Sequence, residues 1–78
     1  MDELSLYYLP TCPYSLKVLH FMEANGIVID LKSTTEPANR EHLLAVGKKN
    51  QVPCLFIDGA PLYESDDIIA YLRERFAV

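Results

Sequence analysis

With 78 residues, half of them apolar and 23% charged, the chain has the composition of one small globular domain and not of a disordered segment. Its 7 Lys and Arg stand against 11 Asp and Glu for a net charge of −4, which argues against a nucleic-acid binder because that class presents a basic face. Two cysteines are too few for a disulfide-dense scaffold or a Cys-rich zinc site within one chain. Apolar runs such as Ile27 to Ile29 fall far short of the roughly 20 residues that span a bilayer. Asp2 and Glu3 directly after Met1 do not read as a secretory leader. One soluble, cytoplasmic, monomeric domain over residues 1–78 is expected, with no membrane and no nucleic-acid partner.

Leu4 to Leu9 is a β-rich run closed by Pro10 and predicts a buried first strand. Pro13 to Asn25 has helical periodicity. Tyr14, Val18, Leu19, Phe21 and Met22 share one arc, and Lys17, His20 and Glu23 the other. Gly26 offers a left-handed stop, and Ile27 to Leu31 predicts a short second strand. Ser33 to Glu36 fits a capping box ahead of Pro37, opening a second helix to about Val46 with Gly47 as its stop. Val52 to Ile57 is expected as a third strand. Asp58-Gly59 is a hairpin turn signal that returns Ala60 to Tyr63 as a fourth. Ser65 is expected to cap a last helix, with Asp66 and Asp67 in its first turn, Arg73 and Arg75 near its end, and a stripe of Ile68, Ile69, Leu72 and Phe76. The order β-α-β-α-β-β-α describes an α/β domain: a mixed four-stranded sheet, its first two strands parallel, with helices on both faces.

Cys12 is the first candidate for chemistry. It lies where a strand gives way to a helix, in Thr11-Cys12-Pro13-Tyr14-Ser15. If Cys12 is the N-cap, free amide hydrogens at the positive end of the helix dipole stabilise its thiolate, the reactive form in disulfide exchange. A buried, inert cysteine is the competing reading. For Cys54, inside an apolar strand, that reading is favoured. Strand alternation puts Val52, Cys54 and Phe56 on one face and Pro53, Leu55 and Ile57 on the other. His20 and His42 carry little weight, and the sequence has no spacing that suggests a metal site.

Tyr8, Thr11-Cys12-Pro13-Tyr14-Ser15, Gln51-Val52-Pro53, Asp58-Gly59 and Glu64-Ser65-Asp66-Asp67-Ile68 occur in an order and at spacings that resemble a glutaredoxin. They resemble nearly as closely the N-terminal thioredoxin-fold domain of a glutathione S-transferase. The resemblance spans essentially the whole chain and implies a thioredoxin-like (glutaredoxin) fold with glutathione as co-substrate. It makes Cys12 the nucleophile and sets Tyr14 beside the site. It gives Pro53 as a cis-proline that leaves the Val52 backbone free to pair with the glutathione cysteinyl unit. Ser65 and Asp66 would hold the γ-glutamyl group. A helix N-terminus suits that carboxylate on physical grounds too, although the same residues cap a helix with or without a ligand.

Three positions depart from the glutaredoxin pattern. Ser15 replaces the second cysteine of C-P-Y-C, so no intramolecular disulfide can close there and reduction needs an external thiol; an engineered Cys-to-Ser change would look the same. Leu9 stands where a lysine is usual, leaving Lys48, Lys49 or Gln51 to meet the glycine carboxylate. Cys54 follows Pro53, which admits a Cys12–Cys54 bridge as an alternative to inert core. The implied function is glutathione-dependent thiol–disulfide exchange by a monothiol mechanism, acting on glutathionylated or disulfide-containing proteins. Two alternatives stand beside it. One is an iron–sulfur cluster held by a glutathione-bridged dimer, although such glutaredoxins usually carry C-G-F-S. The other is a transferase-like glutathione-binding domain without redox activity.

Overall fold

The computed structural model describes residues 3–78, so the acidic start read at Asp2 lies outside the described residues. Seven elements follow in chain order: β1 (Leu4–Tyr8), α1 (Pro13–Ala24), β2 (Asp30–Ser33), α2 (Pro37–Gly47), β3 (Cys54–Ile57), β4 (Ala60–Tyr63) and α3 (Ser65–Phe76). The sheet order is β2-β1-β3-β4. β1 pairs with β2 in parallel and with β3 antiparallel, and β3 pairs antiparallel with β4. This is the thioredoxin-like arrangement that the sequence implied.

Alternation along β1 and β3 sorts the side chains into two cores. Leu4, Leu6 and Leu55 join Val18 and Met22 of α1, Ile27, and Ile68 and Leu72 of α3 in the larger, wholly aliphatic or thioether cluster. The opposite face gives Tyr7, Cys54 and Phe56 to Leu43 of α2, with Val52 and Tyr63 packed against them. Helices therefore cover both faces, α1 and α3 on one and α2 on the other. The Cys54–Phe56 and Leu55 faces fall as alternation requires.

Four expectations are corrected. The second strand is Asp30–Ser33, not Ile27–Leu31. Ile27 instead folds back as the α1 stop, its amide donating to Met22 O at 2.9 Å while its side chain enters the larger core. Val28 next to it is 89% exposed, and the ladder with β1 begins only at Asp30. The capping box does not form: Glu36 is the N-cap of α2 and makes no side-chain cap bond. Ser33 Oγ is taken by the Thr35 amide at 3.3 Å and shares a 2.7 Å bond with the Thr35 hydroxyl. The third strand begins at Cys54 and not at Val52. Ser65 is the first helical residue of α3, and the N-cap is Glu64.

The end of α2 is set by a contact rather than by a glycine turn. Lys48, not Gly47, takes the left-handed conformation, at φ 65°. Gly47 is required because a Cβ there would lie 2.3 Å from the Tyr63 hydroxyl oxygen. That hydroxyl donates to Gly47 O at 2.9 Å, tying α2 to β4 and fixing both ends of the segment that carries Gln51, Val52 and Pro53. On β4, Pro61 stands opposite Phe56 of β3; the strand forms one edge of the sheet, a place where proline is tolerated.

Candidate functional site

Three chain segments meet at the ends of β1 and β3. The first is the β1–α1 junction. Pro10 ends the strand, the Cys12 amide donates to Leu9 O at 3.0 Å, and Cys12 O receives the Leu16 amide at 3.0 Å as the first helical bond. Cys12 is thereby the N-cap, at φ −87° and ψ 122°, and Pro13 is the first helical residue, a position where its missing N–H costs nothing. Ser15, the third residue of α1, is completely buried. Its hydroxyl accepts the Leu9 amide at 3.2 Å and so locks the junction from inside.

The Cys12 sulfur feels opposing influences. Burial raises its pKa, while hydrogen bonds from the Ser15 and Tyr14 amides and from the Ser15 hydroxyl lower it, and the lowering prevails. The residue is half-buried and its thiol is free. This is the thiolate environment expected of a helix N-terminus.

The second segment is Gln51-Val52-Pro53, whose Val52–Pro53 peptide bond is cis. The Cys12 thiol points to Val52 O, at 4.0 Å. The third is the start of α3. Glu64 holds φ 73° and ψ 120°, which for a side-chain-bearing residue costs on the order of 1–3 kcal/mol and occurs mostly where surrounding structure imposes it. Gln51 Nε2 donates to Glu64 Oε1 at 3.2 Å, linking the second segment to the third.

Between them lies a cleft of about 430 Å³. Gln51, Val52, Pro53, Ser65 and Asp66 all line it, as does Tyr14, which is 65% exposed. Tyr14, Gln51, Val52, Pro53, Ser65 and Asp66 therefore border one cavity, with Cys12 at its edge through the Val52 carbonyl, whereas Lys48 and Lys49, the other residues read for the glycine carboxylate, do not line it. One lining residue, Lys17, escaped the sequence reading; Glu64 was part of the quoted motif, but not as the strained N-cap of α3. Lys17 was assigned to the polar arc of α1; the signal that could have found it is its place one turn beyond Pro13, on the side that faces an acidic helix start. Lys17 Nζ is ion-paired with Asp66 Oδ1.

The remaining candidates lie elsewhere. Cys54 is completely buried in the α2-side core and unbridged. Burial pushes its thiol up to about 11, against lowering hydrogen bonds from the Tyr63 side chain and the Leu62 backbone. Lys49 sits over the Tyr63 ring, 5.0 Å from its centroid. His42 stacks on Tyr7 at 5.5 Å and meets Phe56 edge-on, bordering a separate cleft that also holds Asp30 and Lys32. Among the described residues, no group of three or more His, Cys, Asp or Glu side chains is placed to hold a metal ion. No helix formed by them is long and apolar enough to cross a membrane.

Residues 6–77 match the family described as glutathione S-transferase, N-terminal domain. A curated relative, the "Probable glutathione transferase" of Aplysia californica, is 30% identical over 66 residues, which are 85% of this chain and 72% of the relative. Glutathione transferase Omega 3C of Trametes versicolor is 28% identical with a TM-score of 0.82, over 96% of this chain and 34% of that one. A glutathione transferase homologue of Drosophila mojavensis, determined with bound glutathione, is 25% identical with a TM-score of 0.76, over 96% of this chain and 36% of its own. The chain thus spans about a third of these two transferase structures. A thioredoxin-like protein, 24% identical with a TM-score of 0.74, shares the fold over 91% of this chain and 95% of its own.

Proposed function

The chain belongs to the glutathione S-transferase N-terminal domain family, and from that premise we propose that it is a glutathione-dependent thiol–disulfide oxidoreductase working through Cys12 alone. The observation that carries this reading is the placing of a free, half-buried thiol with a lowered pKa 4.0 Å from the carbonyl before the cis-proline, at the edge of the cleft. A domain that only bound glutathione would have no need of a nucleophile there.

Glutathione would occupy the cleft. The open backbone of Val52 offers a carbonyl and an amide to the cysteinyl unit, held out by Pro53. Ser65 and Asp66 meet the γ-glutamyl end, where the α3 amides favour a carboxylate and Asp66 an ammonium. Gln51 stands nearest the glycine side and Tyr14 borders the opening. The Cys12 thiolate attacks the glutathionyl sulfur of a mixed disulfide, the S–S bond breaks, and the partner protein leaves as a thiolate that takes up a proton. A second glutathione thiolate then attacks the Cys12–glutathione disulfide, restoring the Cys12 thiolate and releasing oxidised glutathione. Each turnover consumes one free glutathione thiol, the other half of the oxidised glutathione coming from the mixed disulfide, so no second protein cysteine is needed. Ser15 suits this route, since its buried hydroxyl stabilises the thiolate and cannot form a disulfide.

Incubation with oxidised glutathione followed by intact-mass measurement tests the reading. One glutathione adduct is expected, lost in Cys12→Ser and kept in Cys54→Ser. Loss of two hydrogens without an adduct would point to a Cys12–Cys54 bridge, and an unchanged mass would remove the redox reading.

The second reading is a transferase-type domain in which Cys12 is dispensable. It is favoured by the family itself and by the chain's match to about a third of the transferase structures. Conjugation of glutathione to an electrophilic aromatic compound that survives Cys12→Ala would establish it.

A further inference from the structure

Resting on the glutathione reading above, we infer that Lys17 is a specificity-determining residue of the cleft, which reads the α-carboxylate of the γ-glutamyl group. Three charged side chains line the cavity: the carboxylates of Glu64 and Asp66 and the ammonium of Lys17. Lys17 pairs with Asp66 across the gap between α1 and α3, and the two side chains are 51% and 82% exposed. A pair so open to water exchanges partners readily and adds little to the fold. The cavity therefore holds a cation and an anion side by side, next to the first amides of α3.

That arrangement matches the free end of a γ-glutamyl group, which carries an ammonium and a carboxylate on one carbon. Its ammonium replaces Lys17 beside Asp66, and its carboxylate takes up the released Lys17 together with the α3 amides. One ion pair becomes two. An end group with a carboxylate alone leaves Asp66 and Glu64 facing it unanswered. An end group with only an ammonium must compete with Lys17 for Asp66. The zwitterion is selected over both.

Three reduced peptides separate these roles in titration calorimetry: glutathione, glutaryl-Cys-Gly without the ammonium, and 4-aminobutanoyl-Cys-Gly without the α-carboxylate. Wild type should prefer glutathione. Lys17→Met should weaken glutathione and glutaryl-Cys-Gly by about fivefold, the scale of one exposed ion pair. It should leave 4-aminobutanoyl-Cys-Gly unchanged or tighter, because Asp66 is freed. Lys17→Arg should restore the wild-type order, and melting temperatures should stay close. If Lys17→Met weakens all three peptides alike, or none, Lys17 only joins two helices and the inference is overturned. If wild type binds none of the three, the glutathione reading itself fails, which is a different result.

Discussion

The two cysteines, 42 residues apart in sequence, show how one side chain acquires opposite chemistry from its surroundings. Cys12 sits at the mouth of α1, half-buried, with amide hydrogens and a hydroxyl directed at its sulfur and its pKa lowered. Cys54 lies on the other side of the sheet among Tyr7, Leu43 and Phe56, completely buried and pushed up to about 11. Both receive hydrogen bonds. What separates them is how much water each has lost, since a thiolate needs either solvent or several donors to replace it. The opposite pKa shifts follow from the surroundings and not from the thiol.

The contrast is broken most completely by Cys12→Ser. Turnover in a glutathione-coupled disulfide reduction assay should fall to background while the melting temperature holds, and Cys54→Ser should keep its turnover. Alkylation with iodoacetamide sharpens the same contrast in the native protein. At pH 8 a thiol with a pKa of about 11 is ionised only about one part in a thousand. Cys12 should therefore label at least about 100-fold faster than Cys54, with the difference vanishing in denaturant.

The environment of Cys54 is the next target. Gly47→Ala drives a methyl into the Tyr63 hydroxyl and should cost about 1–3 kcal/mol in urea unfolding. Adding Tyr63→Phe, which removes the clashing oxygen, should recover part of that loss. Ser15→Ala acts on the other cysteine. It leaves the Leu9 amide without its buried acceptor, at a cost of about 1–3 kcal/mol, and should move the pH midpoint of Cys12 alkylation upward.

The two thiols should also leave opposite marks on stability against pH. The folded pKa of Cys54 is raised, so its contribution is complete below the unfolded thiol value of about 8.5 and is lost as pH climbs toward about 11. Tyr63, pushed up to about 12 by burial and by the neighbouring Cys54, adds to the same alkaline loss. The folded pKa of Cys12 is lowered, so its contribution is present above the unfolded value and fades as pH falls through the folded one. Cys54→Ala should melt lower at pH 7 and yet decline less steeply between pH 8.5 and 11.

How far the sequence carried this picture depends on the range of the interactions involved. The α1 cap could be read because Cys12-Pro13 follows a strand-ending Pro10 and precedes a periodic run, all within a few residues. The same locality made the β3–β4 turn legible at Asp58-Gly59. The second strand was misplaced because Ile27-Val28-Ile29 has strand character, whereas pairing is decided by the partner: β1 offers Ser5 to Tyr8 and takes Asp30 to Ser33. Ser65 was read as a cap because serine suits that position, but the backbone reserved it for Glu64 in a left-handed conformation that no propensity favours. The residues that line the cleft were read through motif resemblance. Lys17 belongs to no such motif, and its place in the cleft emerged only when α1 and α3 stood side by side.

Pro61 has a bearing on how copies of the molecule meet one another. A sheet edge whose amides and carbonyls point outward is a template for another strand, and small α/β domains with two such edges are prone to stacking into aggregates. The outer edge of β4 is interrupted at Pro61, which has no N–H to present to an incoming chain, and the opposite edge carries the charged Asp30 and Lys32 in β2. Both borders of the sheet are thereby guarded, one by a proline and the other by two charges, and Pro61→Val would remove one guard and invite strand-by-strand association at high concentration.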